Sequence, residues 1–167
     1  ADAGRDRRQL HLLGASGRAA AHTGAECVAW CGHRTHDDFS VAGNMLAGPE
    51  VLDATAAAYV ASASRPLAER LLDALAAGDA AGGDKRGKQA AALRIHAAED
   101  YPSLDLRVDD HVEPIAELRR LYDASLERFQ PFIACLAGRD SASGVIDRAE
   151  IERRIEAFRA SHGLGNG

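Results

Sequence analysis

Up to Gly43 the chain runs in short apolar stretches separated by glycine and polar turns. Beyond Pro49 the apolar positions switch to helical spacing. The run 9–13 reads as a strand, Gly14-Ala15-Ser16-Gly17 as its turn, and 18–22 as the returning strand. The runs 27–30 and 39–42 read as further strands, and glycine-punctuated runs this close together predict a meander. Pro49 sits where a helix can begin, since its missing N–H is not needed in a first turn. Leu52, Ala56 and Tyr59 follow at helical spacing, with Val51 and Ala58 beside them. A second helix is predicted from Pro66, with Leu67, Leu71 and Leu75 on one stripe and Leu72 beside it, ending in the loop 78–83. The run 90–96 reads as a buried strand and 104–108 as another. After His111, the residues Ile115, Leu118, Leu121, Tyr122 and Phe129 share one helical face.

The tail carries its own start signal. Asp147 and Glu150 fit a capping box, with Ile146 and Ile151 as its hydrophobic staple. Ile151, Ile155 and Phe158 then form a narrow apolar stripe, which needs a partner surface on the domain or on another subunit. Residues 163–167 are expected to be disordered. Strands, two helices, strands and helices in that order predict an α+β or layered α/β fold. Tight turns between the early strands favour an antiparallel sheet.

Composition narrows the function classes. The chain has 167 residues, a formal net charge of −5 and 46% apolar residues, which suits one soluble domain with a core. Clusters such as Lys85, Arg86 and Lys88 are too short to make a nucleic-acid surface. No apolar run reaches the ~20 residues that span a bilayer, and the polar start predicts no signal peptide. Three cysteines, Cys27, Cys31 and Cys135, cannot all pair within one chain, which favours reduced thiols and a cytoplasmic location.

Three segments and a single residue, Asn44, bear chemistry. Gly82-Gly83-Asp84-Lys85-Arg86-Gly87-Lys88 matches the first part of a phosphate-binding loop. However, a helix precedes it, a strand follows, and Gln89 replaces the required hydroxyl. Its glycines permit close backbone approach to a ligand; the plainer reading is a surface loop with an Asp84–Arg86 or Asp84–Lys85 pair. Cys27, Cys31, His33 and His36 are metal-capable, but on one strand the two thiols would stand roughly 13 Å apart at ~3.3 Å per residue. Structural thiols and a solvated His-rich loop are the expectation there. At the end of the strand 104–108, alternation sends Arg107, Asp109 and His111 to one face. Such a trio can orient a base or bind a carboxylate, or it can be a salt-bridged strand end that caps the next helix. Asn44 can donate its amide to an oxyanion, or serve as a turn residue.

Several blocks occur together and in order: Gly4-Arg5-Asp6 with Arg8-Gln9-Leu10, His33-Arg34-Thr35, Gly43-Asn44-Met45-Leu46-Ala47-Gly48-Pro49-Glu50-Val51, Gly82-Gly83-Asp84-Lys85-Arg86-Gly87, and Asp105-Leu106-Arg107-Val108-Asp109-Asp110-His111. Over about Gly4 to Leu121 the chain resembles the domain of unknown function 1028 family. Ala90 stands where the family pattern has Ser. The resemblance implies an N-terminal-nucleophile hydrolase-like fold: an α+β, four-layer αββα sandwich of mostly antiparallel sheets. This chain would hold the C-terminal part over 1–125, a helical extension over 126–162 and the tail 163–167.

In that superfamily the first residue of the mature chain supplies both nucleophile and base, and amide bonds are attacked. The positions implied to face the pocket are Asn44, Asp109 and His111 as catalytic residues, with Asp84, Lys85, Arg86 and Arg107 for substrate. No cofactor and no metal are implied. The family's N-terminal block is not seen here, and Ala1 has no nucleophilic side chain. The nucleophile is therefore expected outside this chain, on a part that is a separate N-terminal chain, or was lost, or was left off a fragment, and an unfilled sheet edge or gap is expected to invite pairing. The implied function is that of an amide hydrolase, acting on a small-molecule or peptide amide, with its nucleophile outside this chain. The alternatives are a non-catalytic domain binding a small ligand or a partner, and a structural homo-oligomer. Neither nucleic acid nor membrane is expected as a partner.

Overall fold

The computed structural model describes residues 2–164. Ala1 and 165–167, the greater part of the expected tail, lie outside the described residues. The chain divides into two compact units, Ala1–Lys88 and Gln89–Gly167.

The first unit is layered. After a 3-10 turn at Arg5–Arg7 come β1 (Gln9–Leu13) and β2 (Ala19–Thr23), paired antiparallel with Gln9 opposite Thr23 and Leu13 opposite Ala19. Then β3 (Gly32–Thr35) and β4 (Ser40–Gly43) form a second antiparallel hairpin. Period-2 alternation decides what each face meets. His33 and Ser40 face the first hairpin, where His33 meets Thr23 and Ser40 meets His11. Arg34 faces the opposite way and donates to Asp53 at 2.7 Å. Asp53 lies on α1 (Glu50–Ala61), which packs on β3 and β4, while α2 (Leu67–Ala80) packs on α1. The order of layers is therefore α1 with α2, then β3–β4, then β1–β2.

Several expectations shift here. The run 27–30 is not a strand: the carbonyls of Val28 and Trp30 accept from the N–H groups of Met45 and Leu46, so it clasps the turn after β4 as irregular backbone. The strand lies five residues later, at β3, whose ladder with β4 runs from Gly32 opposite Gly43 to Thr35 opposite Ser40. His33, expected in a solvated loop, sits in that strand. In α2 the buried positions are Ala68, Leu72, Ala74 and Gly78, not the stripe of Leu67, Leu71 and Leu75. Small residues set this face, since a Cβ on Gly78 would stand 2.3 Å from Thr55 Oγ1 of α1.

The second unit pairs β5 (Ala91–His96) with β6 (Pro102–Val108), antiparallel, with Leu93 opposite Leu106 and Arg94 opposite Asp105. The strand expected to be buried is half-buried: Leu93, Leu104 and Val108 face the core, while Arg94 is exposed and bonded to Asp105. The helix α3 (Pro114–Glu127) covers that core with Leu118 and Tyr122. It stops at Arg128, where φ is −146°, so Phe129 leaves the shared face and begins the short α4 (Phe129–Ile133) at 66% exposure. Residues 134–147 are then non-helical, and α5 (Arg148–Ser161) follows.

Asp147 caps α5 by accepting from the Ala149 N–H at 2.9 Å, but Glu150 does not reach back and instead binds Arg153 and Arg154. Ile146 is 84% exposed, so the expected staple is not made. Ile155 is buried, and α5 packs on α3 and α4 within the same unit. The helix closes on Gly163 at φ +68°, with Gly163 N–H to the Ala160 carbonyl and Leu164 N–H to that of Arg159. This is the glycine-based C-cap that satisfies the last carbonyls, so Gly163 and Leu164 belong to a cap.

Candidate functional site

The corner after β4 and the loop after α2 are joined by backbone. Met45 turns the chain at φ +57°, and its carbonyl accepts from the Lys85 N–H at 2.9 Å. Ala47 N–H donates to the Gly83 carbonyl at 2.9 Å, and Leu46 and Asp84 form an isolated antiparallel bridge. Gly82 allows this closeness: its φ is +117°, and a Cβ there would lie 2.7 Å from that of Ala47. Asn44 is thereby brought beside the Asp84-Lys85-Arg86 segment.

Each side chain has a defined partner. Asn44 Nδ2 donates to Gln9 Oε1 at 3.4 Å. Lys85 Nζ donates to the Ala29 carbonyl at 2.6 Å, which uses one of its three N–H groups. Arg86 grips Asp84 through Nε at 2.9 Å and Nη2 at 2.6 Å, leaving Nη1 outside the pair. That guanidinium, aided by the Arg86 backbone N–H, holds the Asp84 carboxyl down at about 2. The loop is thus the salt-bridged type, with no strand before it and no hydroxyl after it for a nucleotide.

Because the value is lowered, the folded state favours the Asp84 carboxylate. Its contribution to stability is complete above the ordinary value of 3.8 and is lost as pH falls toward about 2. Partial exposure keeps it small. A carbon-detected NMR titration of Asp84 is expected to find a midpoint near 2 that moves up in Arg86→Ala. A wild-type midpoint at the ordinary carboxylate value would contradict the clip.

Behind Asn44 lies a network that the sequence reading did not assign to the site. Gln9 Nε2 reaches the carbonyls of Gly32 and Gly43, both at 2.9 Å, and Thr23 Oγ1 at 3.1 Å. Gly32 and Gly43 lie opposite each other across β3–β4, so one amide ties the first hairpin to both strands of the second. Thr23 Oγ1 also lies 2.8 Å from His33 Nδ1, which carries the network on to β3. Gln9→Leu leaves these half-buried carbonyls without their donor, at a cost of about 1–3 kcal/mol. Urea unfolding monitored on unit 1 residues checks this, and an unchanged midpoint would refute it.

In unit 2, Arg107 Nη2 donates to both oxygens of Asp109 at 2.9 Å each, as their shared strand face predicts. His111 Nδ1 accepts from the Glu113 N–H at 3.0 Å, just before α3. These are the bonds of a salt-bridged strand end that runs into α3, whose N-cap, Glu113, makes no side-chain cap bond. Among the described residues no group of three or more His, Cys, Asp and Glu could hold a metal ion. Cys31 Sγ turns to the Cys27 carbonyl at 3.6 Å within the irregular clasp. No helix among the described residues is long and apolar enough to cross a membrane.

Similarity to known proteins points to one relationship. No curated protein matches the chain. A crystal structure of protein SPO2555 from Silicibacter pomeroyi, assigned to the same family model, superposes with a TM-score of 0.77 at 33% identity, over 88% of this chain and 63% of that one. The chain thus spans less than two thirds of that relative's length. The model of the DUF1028 family, a family of unknown function, matches residues 1–118. With that match over most of its length, and with the blocks that carry the resemblance built into the corner and the loop, the chain belongs to the DUF1028 family.

Proposed function

We propose that the corner at Asn44 and the loop at 84–86 form the substrate-holding part of an amide hydrolase of N-terminal-nucleophile type. The αββα sandwich of that superfamily is part of the same proposal. The observation that carries it is the joining of these two distant segments by backbone bonds at 2.9 Å, which sets an amide donor beside two cations. Asn44 has a second N–H beyond the one given to Gln9, suited to a developing oxyanion. Lys85 retains donors beyond the one given to Ala29, and Arg86 retains Nη1, both suited to a substrate carboxylate. The layered arrangement of helices, β3–β4 and β1–β2 in unit 1 is the packing such a sandwich would need.

In this reading the nucleophile attacks the amide carbonyl from a part of the protein outside this chain. A base on that same part takes the nucleophile's proton and gives it to the departing amine as the C–N bond breaks, and water then hydrolyses the acyl-enzyme, releasing the carboxylate and restoring the nucleophile. Asn44, Lys85 and Arg86 all belong to unit 1. The test is a panel of N-acyl amino acids and primary amides, assayed with the natively expressed gene product and any chain that co-purifies with it. Release of a carboxylate from one of them, abolished by Asp84→Ala with the fold retained, is the expected result. Ligand binding lost in Asp84→Ala, with no turnover of any amide, would sink the hydrolase in favour of a binding domain.

A further inference from the structure

We propose that Cys27 and Cys31 are a reversible dithiol–disulfide pair, whose closure withdraws the Ala29 carbonyl from Lys85. The bridge stands on its own chemistry; only what Lys85 then does for a substrate rests on the hydrolase reading.

The two cysteines bound the clasp that holds the turn after β4. On a straight strand they would stand roughly 13 Å apart at ~3.3 Å per residue. Instead the backbone bends at Ala29 and Trp30 and turns Cys31 back toward Cys27. The Cys31 thiol lies 3.6 Å from the Cys27 carbonyl oxygen. Both cysteines are half-buried and Val28 between them is 51% exposed, so a small oxidant reaches the pair. Cys135, in contrast, is buried in unit 2, with its thiol on the Pro131 carbonyl at 3.5 Å. Every carbonyl between Cys27 and Cys31 is engaged: Val28 by the Met45 N–H, Ala29 by Lys85 Nζ and Trp30 by the Leu46 N–H. A movement of the ends of the clasp is therefore felt at the corner and the loop. A metal would need further ligands, and among the described residues no third His, Cys, Asp or Glu joins the pair.

A disulfide needs its two Cα atoms within about 4.4–6.8 Å of each other. The clasp can close to that range because it belongs to no helix or ladder. One cysteine, as thiolate, attacks a sulfur of a low-molecular-weight disulfide such as oxidised glutathione. The first glutathione leaves as thiolate and takes up a proton. The second cysteine, as thiolate, then displaces the other glutathione and forms the Cys27–Cys31 bond. Two protein thiols are oxidised, and one small disulfide is reduced to two thiols. Of the three held carbonyls, those of Val28 and Trp30 are tied to adjacent backbone N–H groups, each at 3.0 Å. Lys85 Nζ sits on a flexible four-carbon stem, so drawing the ends together breaks its bond to Ala29 and spares the other two. The oxidised form thus frees all the N–H groups of Lys85 for a substrate carboxylate.

The natively expressed protein, first reduced with dithiothreitol and desalted, is treated with oxidised glutathione, unfolded in iodoacetamide and analysed by peptide mass. The peptide holding Cys27 and Cys31 is expected to be lighter by two hydrogens, free of glutathione and unalkylated, while Cys135 is alkylated. Dithiothreitol should restore alkylation at both sites. A disulfide oxidant is chosen because peroxide would also oxidise the Met45 thioether. By NMR, the Lys85 side-chain resonances are expected to shift on oxidation, while the Met45 and Leu46 amides keep their protection against hydrogen exchange. Cys31→Ser should abolish both the bridge and the Lys85 shift, and Cys27→Ser serves if that variant does not fold. The proposal is overturned if neither thiol is oxidised, if a mixed disulfide with glutathione persists, or if the bond forms between two chains. It is equally overturned by a Cys27–Cys31 bond that leaves Lys85 unmoved or strips protection from Met45 and Leu46. No amide is turned over at any step, so the outcome is independent of whether the corner and the loop hydrolyse amides.

Discussion

Asn44→Ala is expected to lower the amide turnover of the natively expressed protein by about 10²–10³-fold, the cost of removing one oxyanion donor. The size of the effect comes from where the bond is made. A donor that strengthens as charge develops acts on kcat and leaves KM nearly unchanged. Its structural cost should be small, because Asn44 is exposed and its one bond, to Gln9, is long at 3.4 Å. The melting temperature is therefore expected to move little while kcat falls. Asn44→Asp should not rescue, since it replaces the donor with a charge that repels an oxyanion. Equal loss of stability and turnover, or recovery in Asn44→Asp, would assign the residue to the turn.

The largest effect on stability is expected at Leu118. It is 0% exposed and lies in the core of unit 2 with Leu93, Leu104, Val108 and Tyr122. Leu118→Ala removes buried methyl groups and leaves a cavity that α3, pinned by Pro114 at its start, closes only in part. The expected cost is about 2–5 kcal/mol. Leu118→Met, which keeps the volume, should cost less than about 1.5 kcal/mol. Phe129→Ala provides the contrast: helical spacing puts it on the same face as Leu118, yet the break at Arg128 exposes it, so its change should stay within about 0.5 kcal/mol. Urea unfolding of the three variants would contradict the fold if Phe129→Ala proved as costly as Leu118→Ala.

Local signals carried much of the fold. The turn Gly14–Gly17 and the alternation around it marked β1 and β2, and Pro49 and Pro66 marked two helix starts within a residue. What failed was whatever depended on a distant partner. The run 27–30 has strand-like residues, but its carbonyls meet the turn at Met45 and Leu46, which no local pattern reveals. The leucine stripe of α2 is the most apolar face of that helix, yet Gly78 and the alanines allow the closer approach to α1 and take the core side.

The site was legible to a similar degree. Asn44 and the residues 84–86 could be singled out by type and by their glycines, and the Asp84–Arg86 pair was foreseeable from its spacing. Their joining through Met45 and Gly83 was not, because it depends on α1 and α2 returning the chain to the start of α1. Gln9 escaped notice because a lone glutamine in a strand has no spacing rule. Its polar side chain on the face opposite Leu10 and Leu12 was the available signal.

The central claim, that the corner and the loop act together on one carboxylate-bearing amide, is tested most directly by NMR on this chain. Titration with N-acetyl amino acids is expected to shift the Asn44 side-chain amide and the Lys85 and Arg86 resonances together, saturably and with one affinity, and Asp84→Ala should abolish the shifts. Shifts that are absent, that fit different affinities, or that fall only in unit 2 would contradict it.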